Sequence, residues 1–243
     1  TILITGGTGS LGKAITKRII QNHSDEIEKL IIFSRDEQKQ FLMNHEYNIS
    51  KYPFMRYFIG DVRDYERVNM AMREVDYVIH AAALKHVPIA EYNPIECIKT
   101  NIYGAQNIIQ AAINCKVKKI IALSTDKATN PINLYGASKL AAEKLFIAAN
   151  SLVGFQNTKF SVVRYGNVID SRGSVIPLFR KMINEKSNFL PVTDKRMTRF
   201  FLTLKDSVKF VVKSFSLMNK GEVFVPKMYS LKIKDLALSL KPG

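Results

Sequence analysis

The sequence predicts an α/β fold in which a parallel sheet carries helices on both of its faces. Short apolar runs alternate with segments of helical periodicity from Thr1 to Tyr165, and strict alternation of this kind is typical of parallel sheets. A glycine-rich turn joins the first predicted strand to the first predicted helix. The length of 243 residues suits one such domain with a small additional lobe.

The predicted elements follow one another with short connections. Strands are expected at 1–5, 29–34, 55–60, 77–80, 118–124 and 159–165. Helices are expected at 11–22, from the second strand to about 48, and at 65–75, 94–113 and 134–153. Beyond Tyr165 the apolar pieces become shorter. Residues 1–165 are therefore predicted to form the sheet domain, and residues 166–243 a smaller lobe that is interleaved with the sheet.

Composition argues against several classes of protein. The chain has 36 Lys and Arg against 21 Asp and Glu, a net charge of +15, but no dense basic run and no basic stretch interleaved with aromatics. We therefore expect no nucleic-acid partner. No apolar run reaches the ~18 residues that a membrane span needs. Cys97 and Cys115 are predicted to be reduced, as in a cytoplasmic protein, and the four histidines lack metal-ligand spacing.

The glycine-rich turn predicts a dinucleotide site in a Rossmann-type, doubly wound sheet. Its glycines follow a G-x-x-G-x-x-G pattern after a strand and at the start of a helix. Such a loop turns tightly, lets the backbone approach a pyrophosphate, and directs a helix N-terminus at the anion. The expected cofactor contacts in the loop are Gly6, Thr8, Gly9, Ser10, Leu11 and Gly12.

The end of the second strand favours NADP over NAD. NAD sites usually place an acidic residue there to hold the ribose 2′-hydroxyl, whereas here Ser34 and Arg35 precede Asp36, and Lys39 follows one turn later. Ser34 can donate a hydrogen bond to a 2′-phosphate, and Arg35 can stack on adenine and pair with that phosphate. The alternative, NAD with Asp36 on a ribose hydroxyl, stays open.

The next two strand ends supply further expected cofactor contacts. Asp61 and Val62 follow the third strand, where a carboxylate could meet the adenine amine. Ala81, Ala82 and Ala83 follow the fourth strand, and small residues there let a ribose and a pyrophosphate lie against the backbone.

Two pairs of reactive side chains follow the fifth strand. Tyr135 and Lys139 lie one helical turn apart, and such a couple can take a proton from a hydroxyl while a nicotinamide takes the hydride. A lysine ammonium and a nicotinamide cation are expected to lower the pKa of the phenol from its usual value near 10. Thr125, Asp126 and Lys127 come just before, and this added acid and amine predict a second reaction, the loss of water.

Together these motifs resemble the extended short-chain dehydrogenase/reductase family. More narrowly, the chain is similar to the inverting UDP-N-acetylglucosamine 4,6-dehydratases, which start pseudaminic acid synthesis in bacteria. The similarity covers nearly the whole chain and is carried by residues 2–10, 34–37, 57–64, 80–88, 124–127, 164–168 and 196–200.

The resemblance implies a mechanism. Dehydratases that retain configuration at C5 have Asp-Glu where this chain has Asp126-Lys127. By resemblance, Tyr135 and Lys139 support oxidation at C4, Lys127 removes the C5 proton, and Asp126 protonates the departing C6 hydroxyl. Thr125 would hydrogen-bond the C4 oxygen. Hydride would then return to C6 from the reduced NADP while C5 is protonated on the opposite face.

The resemblance also implies further contacts and a setting. Val168 would contact the cofactor, and Lys85, Asn167, Thr193 and Arg199 would contact the UDP-sugar. A cytoplasmic homo-oligomer is expected. The family's later R-P-G-E-K-x-H-E segment does not occur in this sequence, which predicts a fragment with an incomplete substrate lobe. Two alternatives remain: a UDP-sugar 4-epimerase, which would give the acid and amine no role, and a non-catalytic NADP-binding sensor or scaffold.

Overall fold

The computed structural model describes residues 1–169, 171 and 174–241. Asp170, Arg172, Gly173, Pro242 and Gly243 of the predicted lobe lie outside the described residues. The strands are β1 (Ile2–Thr5), β2 (Leu30–Ser34), β3 (Met55–Ile59), β4 (Tyr77–His80), β5 (Lys119–Thr125), β6 (Lys159–Tyr165), β7 (Asn167–Val168), β8 (Thr198–Leu202), β9 (Val223–Phe224) and β10 (Tyr229–Lys232).

The main sheet has the strand order β3-β2-β1-β4-β5-β6-β9, and its neighbouring strands pair in parallel. The order reverses at β1 and β4, which is the switch point of a doubly wound sheet. The predicted Rossmann-type fold is therefore confirmed. All these strands end at one edge of the sheet, so the predicted site residues that follow them are collected there.

The helices are α1 (Ser10–His23), α2 (Glu37–Glu46), α3 (Tyr65–Ala71), α4 (Val87–Tyr92), α5 (Pro94–Ile98), α6 (Gly104–Asn114), α7 (Leu134–Ala149), α8 (Val175–Asn184), α9 (Leu204–Leu217) and α10 (Ile233–Leu240). The single helix predicted for 94–113 is divided by a π-helical turn at Lys99–Tyr103. Helix α4 was not predicted, because six residues are too few to show a helical period.

Both faces of the sheet are buried, which explains the continuous apolar runs of the strands. Leu3 and Ile120 point to the face covered by α3, α6 and α7. Their neighbours Ile4 and Ile121 point to the opposite face, which α1 and α9 cover. Successive residues of a strand alternate between the two faces of the sheet, so each strand contributes residues to two separate hydrophobic cores.

The segment after β6 contributes to two structures. Strands β10, β8 and β7 form a second sheet, and Phe201 of β8 packs with Ile176 and Phe179 of α8 and with Ile233 of α10. Strand β9 instead joins the main sheet beside β6, and α9 packs beside α1. The domain division between residues 165 and 166 stays a prediction. Across the described ranges, no helix is both long and apolar enough for a membrane span.

Candidate active site at the carboxyl edge of the sheet

The glycine-rich loop packs directly on the residues that follow β4. Gly6 has a φ of +64°, and a Cβ at this position would lie 2.9 Å from the Ala82 nitrogen and 3.0 Å from the Ala81 carbonyl oxygen. Only glycine suits both the left-handed backbone and this close approach. Gly9 is the N-cap of α1 and provides no side-chain cap, so the first N–H groups of this helix are directed at the sheet edge, as an anion site requires.

The start of α1 is equally tight. A Cβ on Gly12 would lie 2.5 Å from the Gly7 carbonyl oxygen, so the third predicted glycine lets the helix begin close against its own loop. Ser10 and Leu11 form the first turn of the helix. The backbone of the predicted loop therefore forms a cradle that larger residues would fill.

The ends of β2 and β3 form a polar cluster. The hydroxyls of Thr8 and Ser34 lie 2.9 Å apart and are buried. The Arg35 guanidinium is more than half exposed and lies 3.7 Å from the Asp61 carboxylate, which also accepts bonds of 3.0 and 2.7 Å from Arg63. Burial raises the pKa of Asp61, but the hydrogen bonds and charge of Arg63 outweigh it and lower the pKa overall. The Asp61 carboxylate thus holds Arg35 near the end of β2.

Asp36 is engaged in its own helix. Its side chain caps α2 by accepting from the Lys39 backbone N–H at 2.9 Å, and its carboxylate also pairs with the Lys39 ammonium. This arrangement gives Asp36 a structural role that the sequence did not suggest.

The residues after β4 are held by Thr5 and Asn101, two polar side chains that were not predicted from the sequence. The Thr5 hydroxyl accepts from the Ala81 and Ala82 N–H groups at 3.2 and 3.3 Å and lies 2.8 Å from Nδ1 of His80. Burial, together with the Lys139 charge, lowers the pKa of His80 to about 3, so this histidine is neutral. Ala83 follows in the same segment, which leads to α4.

Asn101, in the π-helical turn, holds the next residue of that segment. It accepts from the Leu84 N–H at 2.8 Å and donates to the Leu84 carbonyl at 2.9 Å. It also donates to the Ser138 hydroxyl at 3.0 Å, next to Lys139 on α7. No local pattern marks this asparagine, because its partners come from distant parts of the chain.

Helix α7 presents Tyr135 and Lys139 to the sheet edge. Lys139 is buried and donates to the Leu123 carbonyl at 2.7 Å. Burial lowers the pKa of Lys139 from 10.5 to about 8, although the Glu143 carboxylate acts in the opposite direction. The helix begins against the preceding turn, since a Cβ on Gly136 would lie 2.2 Å from the Lys127 carbonyl oxygen.

In the protein without a cofactor the pKa of Tyr135 is raised, whereas the sequence predicted a lowered value. The expected effect of a nicotinamide cation on this pKa stays a prediction. Burial raises the pKa of Tyr135 to about 12, and the Asp126 carboxylate adds to this effect. A hydrogen bond with Thr125 opposes it. The Lys139 ammonium, which bonds to the Leu123 carbonyl, is not among the groups that shift the phenol.

Asp126 and Lys127 lie on a 3₁₀ turn, Asp126–Ala128, that directly follows β5. Thr125 donates to the Asp126 carboxylate at 3.0 Å and accepts from the Lys127 N–H at 3.3 Å. The Lys127 ammonium donates to Asp126 Oδ1 and to Asn167 Oδ1, both at 3.0 Å. Carboxylate, amine and amide thus form one cluster beside the first turn of α7.

The remaining predicted substrate contacts are more dispersed. Desolvation lowers the pKa of Lys85, which follows the segment after β4. Val168 lies next to Asn167 on β7. Arg199 lies on β8 and donates to the Thr198 carbonyl, and Thr193 lies in the exposed segment before β8. Among residues 1–169, 171 and 174–241, no group of three side chains is arranged to hold a metal ion.

Comparison with known proteins identifies relatives over the full chain. Residues 2–242 match the family model described as polysaccharide biosynthesis protein. The UDP-N-acetylglucosamine 4,6-dehydratase (inverting) of Campylobacter jejuni is 62% identical over 242 residues, which cover 100% of this chain and 71% of that protein. The resemblance predicted from the sequence motifs is thereby confirmed.

Two further relatives show the range of this similarity. The UDP-glucose 4-epimerase of Rickettsia bellii is 48% identical over 99% of this chain and 70% of its own length. The crystal structure of Pen from Bacillus thuringiensis is 44% identical and superposes with a TM-score of 0.93, covering 98% of this chain and 74% of that one. With the family model spanning residues 2–242 and these relatives spanning nearly the entire chain, the protein belongs to the polysaccharide biosynthesis protein family.

Proposed function

We propose that the protein is an NADP-dependent UDP-N-acetylglucosamine 4,6-dehydratase, a hydro-lyase that inverts C5. The product would be a UDP-2-acetamido-2,6-dideoxy-4-keto-L-hexose for bacterial glycan synthesis. The observation that carries this proposal is the Asp126–Lys127 contact of 3.0 Å, on a turn packed against the helix that bears Tyr135 and Lys139. The 62% identity to an inverting dehydratase supports the same conclusion.

The oxidation step uses the pair on α7. The glycine loop would hold the pyrophosphate of a nicotinamide cofactor, and that cofactor would supply the hydride acceptor and, later, the hydride donor. Tyr135 takes the proton of the C4 hydroxyl as a phenolate, a form that the positive charge of a bound nicotinamide would favour against the raised pKa of the phenol. Thr125, whose hydroxyl donates to Asp126 at 3.0 Å, would contact the same C4 oxygen. Lys139 keeps a positive charge near the phenol at neutral pH, because its pKa of about 8 leaves most of the ammonium protonated.

The elimination step uses the pair on the turn. A C4 ketone acidifies the C5 hydrogen, and Lys127 removes it as a neutral amine. The hydrogen bond between Lys127 and Asp126 offers a route to that form, since the ammonium proton can pass to the carboxylate. Asp126 then holds the proton that the departing C6 hydroxyl needs. After water has left, Lys127 carries the C5 proton and Asp126 is a carboxylate again, so the pair returns to its starting charges.

The cofactor assignment rests on the end of β2. Ser34 ends β2 and the more than half exposed Arg35 follows it, while Asp36 caps α2 and pairs with Lys39. We expect Arg35→Ala to weaken NADP binding by ~1.5–3 kcal/mol, because a charge-assisted hydrogen bond is lost, and to change NAD binding much less. Isothermal calorimetry with both cofactors measures this difference. The matched control is Arg18→Ala, which removes an exposed arginine on α1. Equal losses of NADP and NAD binding affinity in Arg35→Ala would contradict the assignment.

The reaction itself is tested with UDP-N-acetylglucosamine in D2O. We expect mass spectrometry to show the loss of one water, and proton NMR to show deuterium at C5, because the proton removed there exchanges before the opposite face is protonated. An isomer of the substrate with no water lost would instead indicate the UDP-sugar 4-epimerase, which the 48% identical relative favours. A cofactor that binds but never becomes reduced would indicate the sensor or scaffold.

The assembly and compartment are also part of the proposal. Ile89, Tyr92 and Ile95 on α4 and α5 are 52%, 88% and 59% exposed, and neighbouring apolar side chains of this size favour contact with another chain. We propose a homo-oligomer that acts in the cytoplasm, where UDP-sugars are made. Light scattering coupled to size exclusion tests the assembly, and a monomer at micromolar concentration would contradict it.

A further inference from the structure

Arg164 connects three segments of the candidate active site. It lies near the end of β6, and its guanidinium donates to the Glu143 carboxylate through Nε at 3.1 Å and through a second bond from Nη2. Its third nitrogen, Nη1, donates to the Thr129 hydroxyl at 3.0 Å. One planar side chain thus bonds to α7 and to the loop after the 3₁₀ turn at the same time.

Each partner lies within four residues, along the sequence, of a residue of the proposed chemistry. Glu143 lies one helical turn beyond Lys139 on α7. Thr129 follows Lys127 by two residues, and its N–H closes the turn on the Asp126 carbonyl at 3.0 Å. Arg164 itself lies on the strand that leads to Asn167, the hydrogen-bond partner of Lys127. The network therefore spans the separation between the oxidation pair and the elimination pair.

The two halves of the network differ in burial. The Glu143 side chain is 3% exposed and that of Arg164 is 22% exposed, so this charged pair is largely removed from water. Such a pair stabilises little by itself and is held in place by its full set of hydrogen bonds. Thr129 is exposed, so its single bond to Arg164 contributes little to folding. That bond connects the loop that follows Lys127 to β6.

We propose that Arg164 is a positioning residue that sets the Lys127 turn relative to α7 through its bond to Thr129. This inference rests on the proposed dehydration. The carboxylate of Glu143 anchors the guanidinium to α7, and the guanidinium then holds the turn at the distance that lets Lys127 reach C5 of a sugar oxidised by Tyr135. A bidentate arginine suits this task because its nitrogens are rigidly arranged in one plane.

The test separates the two half-reactions. Thr129→Val removes the bond to Arg164 and keeps the size of the side chain and the buried ion pair. We expect C4 oxidation to change by less than about twofold and elimination to slow by about tenfold, since small displacements of a reacting group have effects of this size. Because hydride returns only after water is lost, reduced nicotinamide should then accumulate during turnover, which stopped-flow absorbance records.

Two further variants make the result specific. Thr129→Ser restores a hydroxyl and should restore elimination, and Arg164→Lys, which cannot bond Glu143 and Thr129 in one plane, should slow it like Thr129→Val. Arg56→Lys is the matched control, because Arg56 bonds backbone carbonyls beside β3, at Pro53 and Met55. A Thr129→Val protein that dehydrates at the normal rate, or that is not rescued by serine, would overturn the inference alone. A wild-type protein that oxidises the sugar without losing water would overturn the proposed function and the inference with it.

Discussion

The pair proposed for oxidation, Tyr135 and Lys139, and the pair proposed for elimination, Asp126 and Lys127, are built in different ways. Tyr135 and Lys139 lie on one regular helix, and the four-residue spacing alone places them on one side of it. Asp126 and Lys127 lie on a three-residue turn, and their placement depends on contacts from elsewhere, above all the bond from Lys127 to Asn167. A helix determines the geometry of the first pair locally, whereas the second pair takes its geometry from tertiary packing.

The surroundings of the two pairs differ as well. Burial is the largest cause of both pKa shifts in the oxidation pair, raising the pKa of Tyr135 to about 12 and lowering that of Lys139 to about 8. The side chains of Asp126 and Lys127 are 20% and 30% exposed, and hydrogen bonds rather than burial define their surroundings. Substitutions should therefore affect the first pair through desolvation and the second through lost contacts.

The largest effect is expected for Tyr135→Phe, which keeps the buried ring and removes the phenol oxygen. Oxidation at C4 should fall by about 10³-fold, because proton removal in the transition state is lost, and elimination should stop with it. Single-turnover absorbance of reduced nicotinamide measures the rate, and calorimetry checks that NADP still binds. The control is Tyr103→Phe, at a tyrosine that is 54% exposed. Hydride transfer at a near-normal rate would assign the proton to another group.

Lys127→Ala should separate the pairs. The rate of elimination should fall by about 10²-fold because the base that removes the C5 proton is missing. Oxidation should continue because Tyr135 and Lys139 are left in place. Reduced nicotinamide should accumulate, and deuterium should no longer enter C5 in D2O. Lys144→Ala, at an exposed lysine of α7, serves as the control. Dehydration at the wild-type rate would remove Lys127 from the mechanism and favour the epimerase.

A smaller effect is expected on the stability of the protein without ligands. The pKa of Lys139 is lowered from 10.5 to about 8 on folding, so between these values the unfolded chain binds more protons than the folded one. Stability should therefore rise with pH in this range. The contribution from Lys139 amounts to ~2 kcal/mol between about pH 7 and about pH 9.5.

Lys139→Met should abolish this gain, since methionine does not titrate. The comparison with wild type at each pH cancels the ionisation of the tyrosines, and urea unfolding measures both proteins. Parallel profiles of unfolding free energy against pH for the two proteins would show that burial does not lower the pKa of Lys139. The contrast between the buried pair, Tyr135 and Lys139, and the hydrogen-bonded pair, Asp126 and Lys127, would then be weaker.

Much of the site could be predicted because its signals are local. The glycine loop is recognisable within a few residues, since Gly6 needs a left-handed backbone and a close approach to the segment after β4. The Tyr135/Lys139 spacing implies a shared helix face wherever the helix lies. The apolar runs implied a doubly covered sheet, and the structure has one. By contrast, α4 is too short to have a detectable period, although Pro88 lies in its first turn.

The sequence by itself thus determined the sheet, the tight glycine loop and the shared helix face of Tyr135 and Lys139, because each follows from backbone geometry over a few consecutive residues. Only the tertiary structure decided how the elimination pair is held. Lys127 and Asn167 are 40 residues apart, Thr129 and Arg164 are 35 apart, and Thr5 and His80 are 75 apart. Hydrogen bonds over such separations form only after the strands have packed in order, and no local pattern specifies which distant side chains will meet.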